Sequence, residues 1–543
     1  MKTITLSLLL AFFANDLYSQ SLPYPIIFIH GLDSGSNVWV DEGIFLATRE
    51  INFGGRIDYC LNFDANNATA NKDSYPTVGA DIALFTDYTT LSVGDYYFLN
   101  FNIDHHGRLP SNANFTDVLS NEAAIAKQGV ALKYVIQMVL LKTGRDKVIL
   151  MGHSMGGLCA REYLQNSTNW QADGEHHVAK LVTMGTPHGG FTGYGLSPSI
   201  DFRSEAFRDL KASYLLSGAE SVYLFGGNEN YSVMNNNILF DFYNVDVNCN
   251  SVDADNTGVT GLNDKPWITD VDYAYLVGIC TNCQLLQGDI EGDGIVRSEN
   301  ANLSNFTTQL PVPKNEFIYT SSASTVAGLH SDLPKTVLLN SQGLDEPNEY
   351  WLAYGIDATS QYKGFITTQP IGGYPYDYDD YSFGVSATAS ITATVINPFS
   401  TAMVAQFVNT AYTVIATSTI PANSTATLTH VLSPGQWYLE IYGTPTSVSY
   451  LDPYSFNISG TLGLTDSEIK PSAVLYPNPA VTIVYIESDR LFQTFEIYNI
   501  LGQQVYFGVI SGNQIDISGL TAGTYIVKLL SEGVTQISKL IKQ

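Results

Sequence analysis

The sequence predicts an α/β fold, a mostly parallel sheet with helices on both faces, followed by two all-β sandwich domains. Three observations point there. Between residues 26 and 190, short apolar runs alternate with stretches of helical periodicity. Three of those runs end in turns rich in Gly, Ser or His, and in such sheets ligands bind beyond the carboxyl ends of the strands. Past residue 342, helix signals give way to β-branched runs between turns. At 543 residues the chain is too long for one core, and three domains are expected.

Composition narrows the function classes. The net charge of −27 excludes a nucleic-acid role, because phosphate binding needs a basic face. An acidic surface selects no particular partner by itself. Residues 1–19 read as a signal peptide, with Lys2, the apolar run 6–13, and Ser19 before Gln20. No later stretch reaches the ~18 uninterrupted apolar residues of a membrane-spanning helix, so no transmembrane anchor is expected. Five cysteines leave at least one without an intramolecular partner. Cys159 reads as a buried apolar filler, and a structural disulfide is expected within the segment holding Cys249, Cys280 and Cys283. A zinc site would need a second ligand pair, which the sequence does not offer.

The N-terminal elements follow in order. Residues 24–32 are a buried-strand run closing in His30-Gly31-Leu32, and two more strand-like runs cover 56–63 and 95–102. A helix is expected from Ser120 or Asn121 as N-cap, with Ile125, Leu132, Val135, Ile136, Val139 and Leu140 on one face and Gly144 as terminator. The run Val148-Ile149-Leu150-Met151 then ends in Gly152-His153-Ser154-Met155-Gly156 and passes into helix-compatible sequence. That spacing makes a strand-to-helix elbow: serine sits at the strained turn, and glycines on either side let strand and helix approach closely. A further strand, 180–184, ends in Thr186-Pro187-His188-Gly189-Gly190.

His-Gly-Leu, Gly-His-Ser-Met-Gly and Thr-Pro-His-Gly-Gly together resemble the lipases of the α/β-hydrolase family. The resemblance implies a serine nucleophile at Ser154 and an oxyanion hole built from the backbone N–H groups of Leu32 and Met155. His30 is expected to orient its loop, and His188 to line the pocket. Residues 191–265 stand where such enzymes carry a cap or lid; an ordinary surface excursion is the other reading. After the strand 273–279, the turn Asp293-Gly294-Ile295-Val296 resembles the catalytic-acid turn of bacterial lipases, with Asp289 as the second choice. The competing reading is a calcium loop, with Asp289, Glu291 and Asp293 at alternate positions; Arg297 and Asn300 stand where further ligands belong and weaken it. His330 is the one later histidine within this domain, and its His-Ser-Asp-Leu loop resembles that of the lipase base. The order Ser154, Asp293, His330 is the order of the fold. No cofactor is required by this chemistry.

Beyond residue 342 the expected β runs are 385–396, 402–416, 424–431, 437–442 and 454–459. The Glu-Pro-Asn opening and the Asp-Asp-Tyr-Ser-Phe run loosely resemble the bacterial pre-peptidase C-terminal domain. Asp377, Asp379 and Asp380 suit either a solvated acidic turn or a structural calcium, and the module's expected roles are binding a surface glycan or spacing the enzyme from the surface. Residues 471–543 carry Tyr476-Pro477-Asn478-Pro479, Asn499-Ile500-Leu501-Gly502-Gln503 and Leu520-Thr521-Ala522-Gly523-Thr524-Tyr525. They resemble the C-terminal sorting domain of type IX secretion, which implies passage through outer-membrane secretion machinery to the cell surface or medium.

The resulting expectation has four parts: signal peptide 1–19, hydrolase domain 20–342, β-sandwich accessory domain 343–462 and sorting domain 471–543. The chain is expected to be a secreted serine hydrolase acting on carboxylic esters, lipids above all, through an acyl-enzyme. An amidase or acyltransferase could use the same residues, and an adhesin with an inactive hydrolase domain is the reading from another class.

Overall fold

The structure, a computed structural model, describes residues 21–61, 82–104, 106–109, 120–190, 206, 209–210, 221–222, 226–228, 258–259, 261–280, 292–306, 314–321, 329–335, 344–366, 376–443, 452–462, 474–476, 478, 480–487, 492–499, 504–510, 514–531 and 534–543. Residues 1–19, expected to be a signal peptide, Asp289, Cys249, Cys283 and most of the 191–265 insertion lie outside them.

The N-terminal sheet forms around β1 (Ile26–Ile29), four consecutive apolar residues that are all buried, as a strand covered on both faces requires. Its neighbours are β4 (Tyr96–Asn100) and β5 (Val148–His153), both parallel to it. β2 (Phe53–Leu61) and the short β3 (Ile82–Leu84) extend one side, β3 antiparallel. β6 (Val178–Met184) lies beyond β5, and a small ribbon of β7 (Ser221–Val222), β8 (Gly226–Asn228) and β9 (Gly258–Val259) belongs to the insertion. β10 (Asp272–Cys280) and β11 (Lys314–Ser321) complete the order β11-β10-β6-β5-β1-β4-β2-β3.

Alternation along the strands feeds two cores. Ile27, Ile29 and Leu150 face α2 (Ile125–Thr143) and α3 (Met155–Gln165), burying Leu132, Val135, Ile136 and Cys159. Phe28, Met151, Met184 and Leu276 face the other way, against Trp39 and against Phe45 and Leu46 of α1 (Val40–Ala47). Gly144 closes α2 in the left-handed region at φ 72°, as its position predicts. The start of α2 differs. Ser120–Glu122 form a separate 3-10 turn, and the Ile125 N–H is capped from a distance by Asp209 Oδ2 at 2.8 Å.

The middle module is a sandwich of two sheets. β12 (Tyr354–Gly355), β14 (Tyr378–Val385), β19 (Gly435–Gly443), β16 (Met403–Asn409) and β17 (Val414–Ile420) make one. β13 (Tyr362–Gly364), β20 (Tyr454–Ser459), β15 (Ala389–Asn397) and β18 (Ser424–Leu432) make the other. Pairing is antiparallel except between β12 and β14. The run expected at 402–416 is two strands, because Tyr412 at φ 58° turns the chain between them.

The solvated acidic turn is not found. Asp377, Asp379 and Asp380 are buried, because β14 is an inner strand lying against the N-terminal domain rather than a loop in water. The two domains share one apolar cluster, running from Phe28 and Met151 through Tyr354 and Tyr362 to Tyr381 and Leu439. Gly355 N donates to Tyr24 Oη at 2.9 Å, Arg145 pairs with Asp357 at 3.0 Å, and buried Lys180 Nζ reaches Asp272 Oδ2 at 2.8 Å and the Asp345 carbonyl at 2.5 Å.

The C-terminal domain is also a two-sheet sandwich. β21 (Val474–Tyr476), β22 (Ile483–Glu487) and β25 (Gln514–Asp516) face β24 (Gln504–Val509), β23 (Thr494–Asn499), β26 (Gly523–Ser531) and β27 (Val534–Lys542) over a core of Val484, Ile497, Val527 and Leu540. Among the described residues, no helix is long and apolar enough to cross a membrane. Cys60 and Cys159 are buried thiols, and Cys280 is disulfide-bonded to a partner outside the described residues.

Candidate active site

The site is assembled at the carboxyl ends of β1, β5, β6 and β10. Ser154 stands between β5 and α3 at φ 53° and ψ −126°, a conformation sparsely populated for a residue with a Cβ. Strain of that kind, roughly 1–3 kcal/mol, persists only where neighbours enforce it. Here Ser154 N donates to Met184 O at 2.8 Å, and Gly157 N to Ser154 O at 3.1 Å. Gly156 is required because a Cβ there would lie 2.3 Å from the Ile29 carbonyl oxygen; α3 therefore starts directly against β1.

Asp293 and His330 form a closed pair. The turn holding Asp293 hangs from the end of β10, where Cys280 N donates to Gly292 O at 2.7 Å. Asp293 Oδ1 accepts from Ile295 N at 3.0 Å and Val296 N at 2.7 Å, and Oδ2 lies 2.7 Å from His330 Nδ1. His330 N also donates to Asp293 O at 3.0 Å. Both carboxylate oxygens are thus engaged in the turn and the imidazole, while Asp289 and Glu291 of the calcium-loop reading lie outside the described residues.

The pair lies over Gly185. A Cβ at that residue would lie 2.8 Å from Asp293 Oδ2 and 3.0 Å from His330 Nδ1, and Gly185 directly follows the Met184 whose carbonyl holds Ser154. Asp293 and His330 are thus in contact over Gly185, and Ser154 is tied through its backbone N–H to the carbonyl of Met184, the residue before Gly185; no hydrogen bond joins the Ser154 hydroxyl to the His330 ring.

Leu32 is half-buried on the turn after Gly31, and a Cβ on Gly31 would lie 2.7 Å from Ser154 Cβ. Met155 is the first residue of α3, so its N–H has no partner within the helix. His30 does orient this loop. Its buried ring lies 2.9 Å from Gly31 O through Nδ1 and accepts from Phe101 N through Nε2 at 2.9 Å. Burial pushes its pKa down to about 4, leaving the ring neutral.

His188 is completely buried between Thr183 Oγ1 (3.1 Å) and Arg161 Nη1 (3.3 Å), and burial next to that guanidinium holds its pKa well below the usual range. Arg161 itself is buried and anchored to Gln165, Asn263 and the face of Trp267. The sequence reading also missed His153, whose Nε2 lies 2.8 Å from the His330 carbonyl; its place inside the serine motif was the available signal.

Residues 70–214 match the alpha/beta hydrolase fold family, and residues 474–543 match the secretion system C-terminal sorting domain. The chain carries an α/β-hydrolase domain and a secretion sorting domain. Sorting domains of this kind direct export to the cell surface or medium. The chain resembles a triacylglycerol lipase of Burkholderia plantarii, at 32% identity over 135 residues (24% of this chain, 36% of the relative). It also resembles one of Pseudarthrobacter phenanthrenivorans, at 34% over 116 residues (21% and 34%). The chain spans about a third of the length of these curated relatives. Among solved structures, the Bacillus licheniformis lipase BlEst2 in propeptide form aligns over 96% of this chain and 95% of its own, at 14% identity and a TM-score of 0.29. The pre-peptidase C-terminal domain of a Bacillus anthracis collagenase aligns over 21% of this chain and 98% of its own, at 22% identity and a TM-score of 0.16.

A second cluster lies where the hydrolase domain meets the sandwich. Asp345, Asp377 and Asp379 are buried, with ligand oxygens all within 4.8 Å of one another. Among the described residues, no N–H or hydroxyl donor reaches either Asp345 carboxylate oxygen or Asp379 Oδ1. Burial, then the neighbouring Asp377, pushes the Asp345 carboxyl well up, and burial raises Glu346 to about 8. Hard oxygen donors left unsatisfied in this way fit a calcium ion.

Proposed function

We propose that the chain is a secreted serine hydrolase of carboxylic esters, lipids in particular, with Ser154 as nucleophile, His330 as base and Asp293 as its partner. The observation that carries this is the 2.7 Å Asp293–His330 contact beside a serine at positive φ. A carboxylate at Nδ1 keeps the proton there, leaving Nε2 to accept the serine proton. Ser154 Oγ then attacks the ester carbonyl carbon, and the carbonyl electron pair moves onto oxygen. The N–H groups of Leu32 and Met155 stabilise that oxyanion, a donor being worth roughly 3 kcal/mol in the transition state. His330 returns its proton to the leaving alkoxide, and water repeats the sequence on the acyl-enzyme. The same machinery would serve an amidase or acyltransferase, and the names of the curated lipases favour ester hydrolysis. The test is turnover of a chain-length series of p-nitrophenyl esters, with and without emulsified lipid. Ser154→Ala is expected to abolish it; turnover that survives the substitution refutes the nucleophile.

The boundaries 20–342, 343–462 and 471–543 belong to the same proposal, as does a structural calcium at Asp345, Asp377 and Asp379. Its role would be to neutralise buried carboxylates at the junction of the first two domains, with no part in ester chemistry. Asp380, the third residue of the expected acidic run, stands apart on β14 and is not among the clustered donors.

A further inference from the structure

We propose that His153, which precedes the nucleophile, is a positioning residue for the base, holding His330 through its backbone carbonyl. This rests on the roles given above to Ser154 and His330. Among the described residues His330 has three anchors. Two of them converge on one residue: its N–H donates to Asp293 O at 3.0 Å, and its Nδ1 meets Asp293 Oδ2 at 2.7 Å. Those contacts alone would leave the loop hinged about Asp293, whose own turn hangs from β10. The third anchor comes from another strand. His153 Nε2 lies 2.8 Å from His330 O, and the two rings lie 4.7 Å apart at 44°. A carbonyl oxygen can only accept, so His153 carries its proton on Nε2.

The anchor is rigid for reasons visible in its surroundings. His153 ends β5, the strand between β1 and β6, and its side chain is buried with the Trp39 ring 6.3 Å away at 89°. Ser154 is the next residue. Nucleophile and base are thereby referenced to the same strand end, one through a peptide bond and the other through a single hydrogen bond. Positioning matters at this scale, since an error near 1 Å can cost ~100-fold in rate.

The experiment compares His153→Phe, which keeps a ring but loses the donor, with His153→Gln, whose amide nitrogen can reach the same carbonyl. Both are measured for kcat and KM on a short p-nitrophenyl ester, for the rate of fluorophosphonate labelling, and for thermal midpoint, beside Ser154→Ala. The expected result is a ~10- to ~100-fold fall in kcat and labelling rate for the Phe variant, with KM within about twofold and the midpoint retained. The Gln variant is expected to recover most of that loss. Wild-type turnover in the Phe variant overturns the proposal while leaving Ser154 and His330 in place. Equal losses in both variants with a lowered midpoint also overturn it, marking His153 as a core filler. Turnover surviving in Ser154→Ala overturns this proposal together with the reading beneath it.

Discussion

His30 shows how one buried residue ties the fold to the chemistry. Its neutral ring bridges the Gly31 carbonyl and the Phe101 N–H, and so fixes the turn that carries Leu32. In the unfolded chain a histidine titrates near 6.5, whereas here burial lowers the pKa to about 4. The unfolded state therefore takes up the proton first. The contribution is fully present above pH 6.5 and is lost as pH falls toward 4, about 3 kcal/mol across the window. Urea unfolding between pH 7 and pH 4 is expected to show that slope, and His30→Gln to flatten it. An unchanged slope in the variant would remove His30 from the account. Motif and chain order nominated Ser154, Asp293 and His330 as candidates, and the structure pairs Asp293 with His330. The partner of His188 was not legible, because Thr-Pro-His-Gly-Gly does not disclose Arg161 on a different element.

At the scale of elements, β1, β5 and α3 form a single device. The register that sets Ile29 beside Gly152 brings the His-Gly-Leu turn onto the elbow, and α3 fits there because Gly156 has no side chain. Gly156→Ala would put a Cβ 2.3 Å from a backbone oxygen, which a flexible side chain cannot relieve. Overpacking of this kind costs roughly 1–3 kcal/mol. Thermal unfolding is expected to fall accordingly, with ester turnover reduced more than tenfold as the elbow moves; wild-type values for both would contradict the close approach. The strands of this region were readable because fully buried strands are continuous apolar runs. The start of α2 was not, since its cap is supplied by Asp209, more than eighty residues away in sequence.

At the scale of the whole molecule, the hydrolase and sandwich domains share a core and a buried, strongly acidic seam. Lys180, paired with Asp272, is the buried cation reaching into that seam among the described residues. Calcium is expected to raise the thermal midpoint by several degrees and chelation to lower it. Asp379→Asn, which removes one negative charge and leaves only a neutral amide oxygen, is expected to blunt the response; a midpoint indifferent to both calcium and chelator would leave the cluster without a metal. The sequence revealed this acidic run but not its burial, because alternation along β14 says which residues share a face and not what lies against it. The sorting domain was legible along its whole length from three short motifs.

The central claim is that the Ser154 hydroxyl attacks the ester carbonyl with His330 as its base. Peptide mass mapping of the exported protein after fluorophosphonate labelling tests it most directly. The label is expected on Ser154 in the wild type, absent in Ser154→Ala, and greatly slowed in His330→Ala. A label on another residue, or unchanged labelling when His330 is removed, would contradict it.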